Sequence, residues 1–407
     1  GSAFKDCAKL KVVELPTTVT QVGADAFAGC SSLEAVLYSE AALQGDTPDA
    51  WAAQVGLSAV AGCNSMALLE SSAAYTSDGK AAVYRSLARE ASSDLELAYV
   101  VFDITGNLEL LPRTVSVAAH AASGRKALES LTAFSSVTTV GVEAFAGCEN
   151  LRSVDGFSSI VALERRCFAG SGLSGSITLS GVNLAVGEEA FAQCQHLREV
   201  LVRGSVSTLG TRTFKDCSYL QRVELGDDST TIATTGNETF KGCASLSTVS
   251  ISGALRRIVV GAFAECSSLS TVSFIGACKT SLSVIEDEAF RNCVALNGFT
   301  LSGLSALKSV GSRFMYIDAV TSRSGSSPVA ASSLLIMRVT LPASLETIGS
   351  YAFGNQAALQ TVDISGSNAK LALIDTKAFA GCSSLRQVDM GVSAAPMVVG
   401  TSAFEGC

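Results

Sequence analysis

Histidine is scarce in this sequence, and that scarcity limits the chemistry that the chain can perform. The chain has two histidines, His120 and His196, and no Cys-x-x-Cys pair accompanies either of them. A structural zinc site is built from several nitrogen or sulfur ligands, and a Ser-His-Asp triad needs a histidine base. The sequence also contains no Gly-x-Gly-x-x-Gly segment and no phosphate-binding loop. We therefore expect no metal site, no cofactor and no histidine-dependent catalytic site.

Long apolar runs and a basic excess are also lacking. No apolar run approaches the roughly 18 residues that identify a membrane-spanning helix. Lysine and arginine number 29 against 37 aspartates and glutamates, which gives a net charge of −8. Proteins that bind nucleic acid carry a basic excess or a clustered basic stripe. The sequence therefore predicts no nucleic-acid partner and no direct insertion of this segment into a membrane.

What the sequence does contain is an internal repeat. Nearly the same segment occurs at 26–36 (AFAGCSSLEAV), 144–154 (AFAGCENLRSV) and 378–388 (AFAGCSSLRQV). Cysteine commonly follows the phenylalanine by three residues, and leucine follows the cysteine by three more. The phenylalanines in this register are Phe4, Phe27, Phe145, Phe168, Phe191, Phe214, Phe240, Phe263, Phe290, Phe314, Phe353, Phe379 and Phe404. The step is 23 residues from Phe145 to Phe168, Phe191 and Phe214 in turn. A period of about this length is typical of repeat architectures.

The rest of the unit has the same register. Leu220, Val223 and Leu225 form a Leu-x-x-Val-x-Leu run, whose alternation predicts a half-buried strand. A second short apolar step precedes the next phenylalanine, as in Val206 and Leu209, and a glycine usually follows it. One unit cannot bury both of its apolar faces alone, but stacked units can, so the pattern predicts a solenoid. The spacing predicts about 15 to 17 units over the whole chain.

The complete unit, Leu-x-x-Val-x-Leu-Pro-x-x-Val-x-x-Val-Gly-x-x-Ala-Phe-x-x-Cys-x-x-Leu, resembles the BspA-like class of leucine-rich repeats. The pattern is almost complete from Leu10 to Leu33, and it covers residues 1–36 and 128–407 apart from one interruption. The resemblance implies a mostly β repeat solenoid of the α/β type. This would be a curved array with a parallel sheet on the concave face and short 3₁₀ or helical turns on the convex face. It also implies attachment, since proteins of that family are found on cell surfaces and bind host or matrix proteins.

The domain organisation follows from where the pattern weakens. We expect residues 1–407 to form a single solenoid, with degenerate repeats over 38–127, an excursion at 71–94 and an insertion loop at 315–336. No polar cap is evident at either end, so we expect the chain to be part of a larger protein.

Most of the thirteen cysteines share the repeat register. Stacking would place them in a column with parallel Cβ vectors, whereas a disulfide needs convergent ones. We therefore interpret the column as buried free thiols. Cys167 and Cys278 lie outside it, and their pairing and reactivity stay open. The sequon at Asn237 would matter only in a protein secreted by a eukaryote.

The outward positions of the first strand of each unit form the candidate binding face. In leucine-rich repeats these positions lie on the concave sheet, because side chains alternate across a strand. The candidate residues are Glu14, Asp155, Thr178, Leu201, Glu224, Ser250, Ser273, Thr300, Thr340, Asp363 and Asp389, with Leu37 in the same column. Two interpretations stay open: a polar surface with acidic ends that suits a large and basic partner, or solvated strand residues that only keep the sheet soluble.

Three functions follow from these observations. The first is non-enzymatic protein binding by an extended solenoid face, with attachment to host or extracellular matrix proteins at the cell surface or after secretion. The alternative is an intracellular scaffold that organises a cytoskeletal or signalling assembly in the cytoplasm. An enzyme would need its active site in 71–127 or 315–336. The oligomeric state cannot be predicted from the sequence.

Overall fold

The structure is a computed structural model that describes most of the chain from residue 104 onward. It describes 104–318 except 228, 229 and 298, and 336–407 except 365, 366, 391, 394 and 395. Before residue 104 it describes 3–14, 26, 27, 29, 30, 33, 35–38, 67–70, 75–77, 82–86 and 94–100. Most of the predicted insertion at 315–336 and much of the predicted excursion at 71–94 therefore lie outside the described residues.

The Leu-x-x-Val-x-Leu segments form a ladder of parallel strands, here called the first ladder. Its strands are β1 Val12–Glu14, β2 Ala35–Tyr38, β3 Ala67–Glu70, β7 Gly106–Glu109, β9 Leu128–Thr132, β11 Ser153–Val154, β13 Gly175–Leu179, β15 Leu197–Val202, β17 Arg222–Leu225, β19 Thr248–Ile251, β21 Thr271–Phe274, β24 Arg338–Thr340, β26 Thr361–Asp363 and β29 Gln387–Asp389. Strands β13 to β21 form one continuous five-stranded sheet. The alternation in the sequence thus gives the strands that it predicts.

The second apolar step of each unit forms a second parallel ladder. Its strands are β6 Leu95–Val100, β8 Thr114–Val117, β10 Thr139–Val140, β12 Ala162–Leu163, β14 Val182–Val186, β16 Ser205–Leu209, β18 Thr231–Thr235, β20 Arg257–Ile258, β22 Val284–Ile285, β23 Ser309–Val310, β25 Thr347–Ile348, β28 Leu373–Ile374 and β31 Val398–Val399. Two shorter strands, β27 Ser367–Ala369 and β30 Val392–Ser393, pair with each other.

An antiparallel hairpin extends the second ladder at its N-terminal edge. Strand β4 (Tyr75–Ser77) pairs with β5 (Ala82–Ser86), and β5 pairs antiparallel with β6. Both strands fall within the predicted excursion at 71–94. This part of the chain therefore departs from the parallel stacking of the units that follow it.

The Ala-Phe segments are tight turns that add a third line of contacts between units. Ala146 N donates to Glu143 O (3.1 Å) and Cys148 N to Phe145 O (3.3 Å), which is the i to i+3 bonding of a 3₁₀ turn. Each turn also bonds to the next one, as where Phe145 N donates to Cys167 O at 2.7 Å. A left-handed residue, here Glu143 with φ of 52°, stops the turn from growing into a helix.

The core lies between the two ladders and is centred on the repeated phenylalanines. Adjacent rings from Phe145 to Phe290 stack with centroids 5.2 to 5.5 Å apart and interplanar angles of 2° to 14°. Phe314 interrupts this order, because its ring lies edge-on to both Phe290 and Phe353. The stacked order resumes from Phe353 to Phe404.

The described residues form a mostly β parallel-sheet solenoid of about 12 turns, and the fold predicted from the repeat is confirmed. The prediction of 15 to 17 units counts the whole chain, including positions that the structure does not describe. Helix is limited in these residues to the 3₁₀ turn Phe134–Ser136 and the single turn α1, Cys278–Ser281. Neither is long or apolar enough to cross a bilayer.

Candidate functional site

The candidate residues of the first ladder lie in register with their neighbours, except Asp155, which follows the end of β11 and is not paired with β13. Backbone pairing aligns Thr178 with Leu201, Leu201 with Glu224, Glu224 with Ser250 and Ser250 with Ser273. In the C-terminal part, Thr300 is bridged to Thr340, and Thr340, Asp363 and Asp389 are aligned in turn. Glu14 aligns with Leu37 at the N-terminal end. We call this set the outward column.

Burial shows that the members of the outward column from Asp155 onward face away from the core. Asp155, Thr178, Thr300 and Asp389 are exposed, and Leu201, Glu224, Ser250, Ser273, Thr340 and Asp363 are half-buried. Their neighbours in the same strands, such as Val223 and Leu225, are fully buried. The sheet therefore presents a polar stripe on one side and its apolar residues to the core on the other.

A network of ion pairs lies at the centre of this face. The Glu224 carboxylate binds the guanidinium groups of Arg203 and Arg222, and Arg222 also reaches Glu199 at 3.0 Å. The hydrogen bond from Arg203 is the main reason that the pKa of Glu224 falls below its usual value. These side chains come from β15, β17 and the residue after β15, so the network ties neighbouring units together.

Other carboxylates of the outward column also have ion-pair or hydrogen-bond partners. Asp363 forms an ion pair with Arg338 on the neighbouring strand at 2.6 Å. Asp155 accepts a hydrogen bond from the backbone N–H of Phe134 at 2.7 Å. The acidic appearance of the column in the sequence is therefore partly cancelled by arginines at flanking positions. A basic partner would meet a surface that is polar and ion-paired, with few bare carboxylates.

An exposed aromatic residue lies in the turn before β17 of the same sheet. Tyr219 precedes β17 and is 52% exposed, and the guanidinium of Arg198 on β15 lies 5.5 Å from its ring centroid. Tyrosine and arginine are the residue types that dominate protein-binding hot spots. The outward column does not include this pair, because both residues lie at the start of their units. A tyrosine at this position of the unit was the available signal in the sequence.

A second charged column runs along the turns and was not predicted. It consists of the residue two places before the phenylalanine in five successive turns, and of His120 in the turn before them, where Ala122 stands in place of the phenylalanine; the five are Glu143, Arg166, Glu189, Arg212 and Glu238. Glu143 lies 3.7 Å from both His120 and Arg166, and Arg212 lies 2.7 Å from Glu238. All six residues have φ between 52° and 58°. The alternation of sign at one repeat position was the signal for this turn column.

His120 and His196 are both exposed. Within the part of the chain that the structure describes, no group of three or more histidine, cysteine or carboxylate side chains could hold a metal ion.

Cys167 and Cys278 are buried free thiols. Burial raises the pKa of Cys167 well above its usual value and that of Cys278 to about 11. Since the thiolate is the nucleophile, we expect both residues to be unreactive in the folded protein near neutral pH. Asn237 is exposed at the start of a turn, and its glycosylation stays untested.

The repeat places the chain in a known family. Residues 1–45, 116–235, 186–316 and 331–407 match the family described as "BspA type Leucine rich repeat region (6 copies)". These segments together cover well over half of the chain. A search of curated proteins finds no match.

Several solved structures of leucine-rich repeat proteins are similar to this one, and the first of those named here shares its fold. A leucine-rich repeat protein from Bacteroides ovatus is 21% identical, with a TM-score of 0.51 over 81% of this chain and 91% of that one. The pneumococcal vaccine antigen PcpA is 16% identical, with a TM-score of 0.47 over 80% and 85% of the two chains. A leucine-rich cell surface protein from Faecalibacterium prausnitzii is 20% identical, with a TM-score of 0.35 over 89% and 80%. With its repeats, its parallel ladders and its family match, the chain belongs to the BspA-type leucine-rich repeat proteins.

Proposed function

We propose that the chain is a non-enzymatic protein-binding module that attaches a cell surface to host or matrix proteins. The observation that carries the proposal is the polar face of the continuous sheet β13–β21, with its ion-pair network and its exposed Tyr219. Family resemblance supports the cell-surface part of the proposal, since BspA-like proteins are found there.

The face is suited to binding because its polar groups are already ordered. Arg203 and Arg222 are held by Glu224, so they would lose little rotamer freedom when a partner binds. Ser250, Ser273 and the other small outward residues leave room for the side chains of a partner. Tyr219 supplies a rigid aromatic group beside them. An extended surface of this kind fits a protein partner better than a small molecule.

Binding to immobilised matrix and host-cell proteins tests the proposed surface. We expect Tyr219→Ala to weaken binding about tenfold, as hot-spot tyrosines commonly do. Val182→Ala serves as the matched control, because Val182 is 83% exposed but lies on β14 of the second ladder. Equal binding by the two variants, or no binding by the wild-type protein, would contradict the proposal.

The cellular part of the proposal needs a separate measurement. Antibody labelling of intact source cells, with permeabilised cells as the control, reports whether the protein is at the surface. Labelling of intact cells would support the adhesion proposal. Labelling only after permeabilisation would contradict it and would favour the alternative of an intracellular scaffold.

A further inference from the structure

The first ladder is broken between β11 and β13. Strands β7, β9 and β11 form one sheet and β13 to β21 another. The cause lies in the sequence of the unit, since Leu151 and Val154 are followed by Phe157 one residue later than the repeat requires. Gly156 absorbs the extra residue with φ of 139°, a conformation that favours glycine. The chain therefore leaves the sheet directly after Val154.

Two contacts hold the chain in this diverted path. Phe157 enters the core, where it is 6% exposed and lies edge-on to Phe168 at 5.7 Å. Asp155 turns back to accept the hydrogen bond from Phe134 N. The same two units stay paired in the second ladder, where Ala162 aligns with Ala185. The break is thus a wedge that opens only on the face of the first ladder.

A cleft of about 410 Å³ fills this wedge. Its walls are rich in hydroxyl groups from Ser153 and Ser158 on one side and from Ser176, Thr178 and Ser180 on the other. Its volume lies within the range of known ligand pockets. We call it the seam cleft. Two residues of the outward column, Asp155 and Thr178, lie in it.

The wall formed by β13 presents unused backbone groups. Leu179 O accepts a hydrogen bond from Arg203 N at 2.8 Å, so Leu179 and, by alternation, Ile177 serve the pairing with β15. The N–H and C=O groups of Ser176 and Thr178 then point into the cleft. Among the described residues, the seam between β11 and β13 is crossed by hydrogen bonds only at Ser174, the residue before β13. Its N–H and its hydroxyl both donate to the carbonyl oxygen of Arg152, the residue before β11.

The cleft also contains a positive charge without an ion pair. The Arg152 side chain lines the cleft and is exposed, and none of the ion pairs among the described residues includes it. Asp155 is the other charged residue of the cleft, but one of its oxygens already binds Phe134 N. The site therefore combines backbone donors and a free guanidinium, which favours an extended ligand with a carboxylate.

We propose that the seam cleft binds an extended acidic peptide segment of a partner protein, which adds a strand to the free edge of β13. The proposal rests on the function proposed above. It specifies that the part of the partner protein in the cleft is an extended acidic segment. In this mode, backbone hydrogen bonds provide affinity and side chains provide specificity. The carboxylate of the segment pairs with Arg152, and small hydroxyl-bearing walls leave space for its other side chains.

The backbone pairing is tested on the full chain with a phage-displayed library of random peptides. Peptides that are selected and then synthesised should bind Thr178→Pro at least about tenfold more weakly, because proline removes one donor and fills its place. Thr178→Ala is the matched comparison, because it loses the hydroxyl but keeps the N–H, and it should weaken binding clearly less than Thr178→Pro does.

Hydrogen exchange provides a second measurement that does not depend on a variant. In the free protein the amides of Ser176 and Thr178 should exchange quickly, while those of Ile177 and Leu179 are protected. A selected peptide should protect Thr178. The inference is overturned if selection on the wild-type protein enriches no peptide beyond those that selection on Thr178→Pro also enriches. It is equally overturned if the selected peptides leave the Thr178 amide unprotected.

The charge preference is tested by reversing Arg152. Arg152→Glu should weaken binding of acidic selected peptides about tenfold and improve binding of the same peptides with lysine in place of the acid. Arg386→Glu is the control, because Arg386 is exposed at the same repeat position far along the chain. Unchanged binding by Arg152→Glu would contradict the acidic preference.

Comparison with the Tyr219 experiment separates the two proposals. If the whole partner binds Thr178→Pro normally but loses affinity for Tyr219→Ala, the proposed function stands and the peptide site is overturned. If soluble saccharides from a glycan array compete with the partner at the seam cleft and no peptide does, the peptide site is likewise overturned. Loss of partner affinity in both variants supports both.

Discussion

The cysteines of the repeat are hydrogen-bond donors as well as core residues. Each buried thiol of the column points to a backbone oxygen of the preceding turn, as where Cys217 Sγ donates to Phe191 O at 3.1 Å and Cys266 Sγ to Phe240 O at 3.2 Å. At two positions without the cysteine, Arg125 and Gln356 donate to a backbone oxygen of the preceding unit instead. A buried donor is common at this position but not required, since Ile317 is buried there without one. A thiol supplies such a donor at low desolvation cost.

The buried thiols should resist alkylation in the folded protein. Burial raises the pKa of Cys243 and Cys266 well above the usual value, and that of Cys148 to about 12. With iodoacetamide at mildly alkaline pH, mass spectrometry should find the label on the exposed Cys7 and Cys407 and not on these three residues. The same reaction in guanidinium chloride is the control and should label all of them. Rapid labelling of Cys243 under native conditions would contradict this account.

Glu238 of the turn column should stabilise the fold in a pH-dependent way. Its hydrogen bonds with Arg212 and Lys241 lower its pKa from 4.5 to about 2. A lowered pKa in the folded state means that the contribution is complete above pH 4.5 and disappears as the pH falls towards 2. Because the side chain is partly exposed, solvent screening limits the contribution to about 1 kcal/mol.

Denaturation of Glu238→Gln at several pH values measures this effect. The variant should have a lower urea midpoint than the wild type at pH 7, and the difference should shrink below pH 4.5. Glu109→Gln is the control, since Glu109 is exposed on β7 and should matter little at any pH. A difference that stays constant down to pH 2 would show that the ion pairs are not its cause.

For single residues, the sequence predicts on which face of a strand a side chain lies better than it predicts the ion-pair partner of that side chain. The alternation of β17 identifies Glu224 as an outward residue, because side chains alternate along any strand. Its pairing with Arg203 depends on the register between β15 and β17 and on two rotamers, which the repeat alone does not specify. Its acidic character in the sequence therefore overstates the charge that a partner would meet.

The phenylalanine column is the element that ties the stacked turns together. Phe214 is fully buried, and its ring stacks on Phe191 at 5.3 Å and on Phe240 at 5.2 Å. Each ring thus contacts both neighbouring turns, so its loss weakens two interfaces at once. We expect Phe214→Ala to lower the free energy of unfolding by about 3 to 5 kcal/mol, from lost burial and a cavity.

Phe404→Ala provides the matched comparison for this prediction. Phe404 has the same repeat position but is only half-buried and stacks on a single ring, that of Phe379. Its replacement should cost about half as much or less, since less apolar area is lost. Urea denaturation followed by circular dichroism measures both variants. Equal losses would argue against cooperative stacking as the source of the effect.

The spacing of the second ladder depends on glycines that follow several of its strands, such as Gly210 after β16. A Cβ on Gly210 would lie 2.4 Å from the backbone carbon of Gly187 in the preceding turn. We expect Gly210→Ala to push the two turns apart and to cost about 1 to 3 kcal/mol. Gly303→Ala is the control, because its Cβ would meet nothing closer than 3.9 Å. Equal thermal midpoints for the two variants would contradict the close-packing argument.

The ladders show what repeat patterns predict about elements. The Leu-x-x-Val-x-Leu run predicts strands such as β17, because an alternation of five or six residues fits a half-buried strand. The second apolar step is only two residues long in places, as in β10, and its pairing into a sheet depends on the stacking itself. The break after β11 follows from one extra residue at Gly156, which matters only once the neighbouring strands are in register.

For the molecule as a whole, the repeat predicts the architecture but not the partner. Nearly identical units can bury their apolar faces only by stacking, so the solenoid follows from the sequence. The two binding sites proposed above, Tyr219 and the seam cleft, are local departures from the repeat, and these have no periodic signal. The single-domain organisation, the insertion at 315–336 and the outward column as the binding face stay predictions.

The turn column has a consequence for how the chain reaches its final arrangement. Similar turns offer similar hydrogen bonds, so a turn could dock on the wrong neighbour while the chain folds. Skipping one turn would set Glu143 against Glu189 and Arg166 against Arg212, which brings like charges together. Glutamine at both arginines should therefore lower the refolding yield more than the thermal midpoint. The alternating charges of the turn column therefore favour pairing of each turn with its correct neighbour during folding.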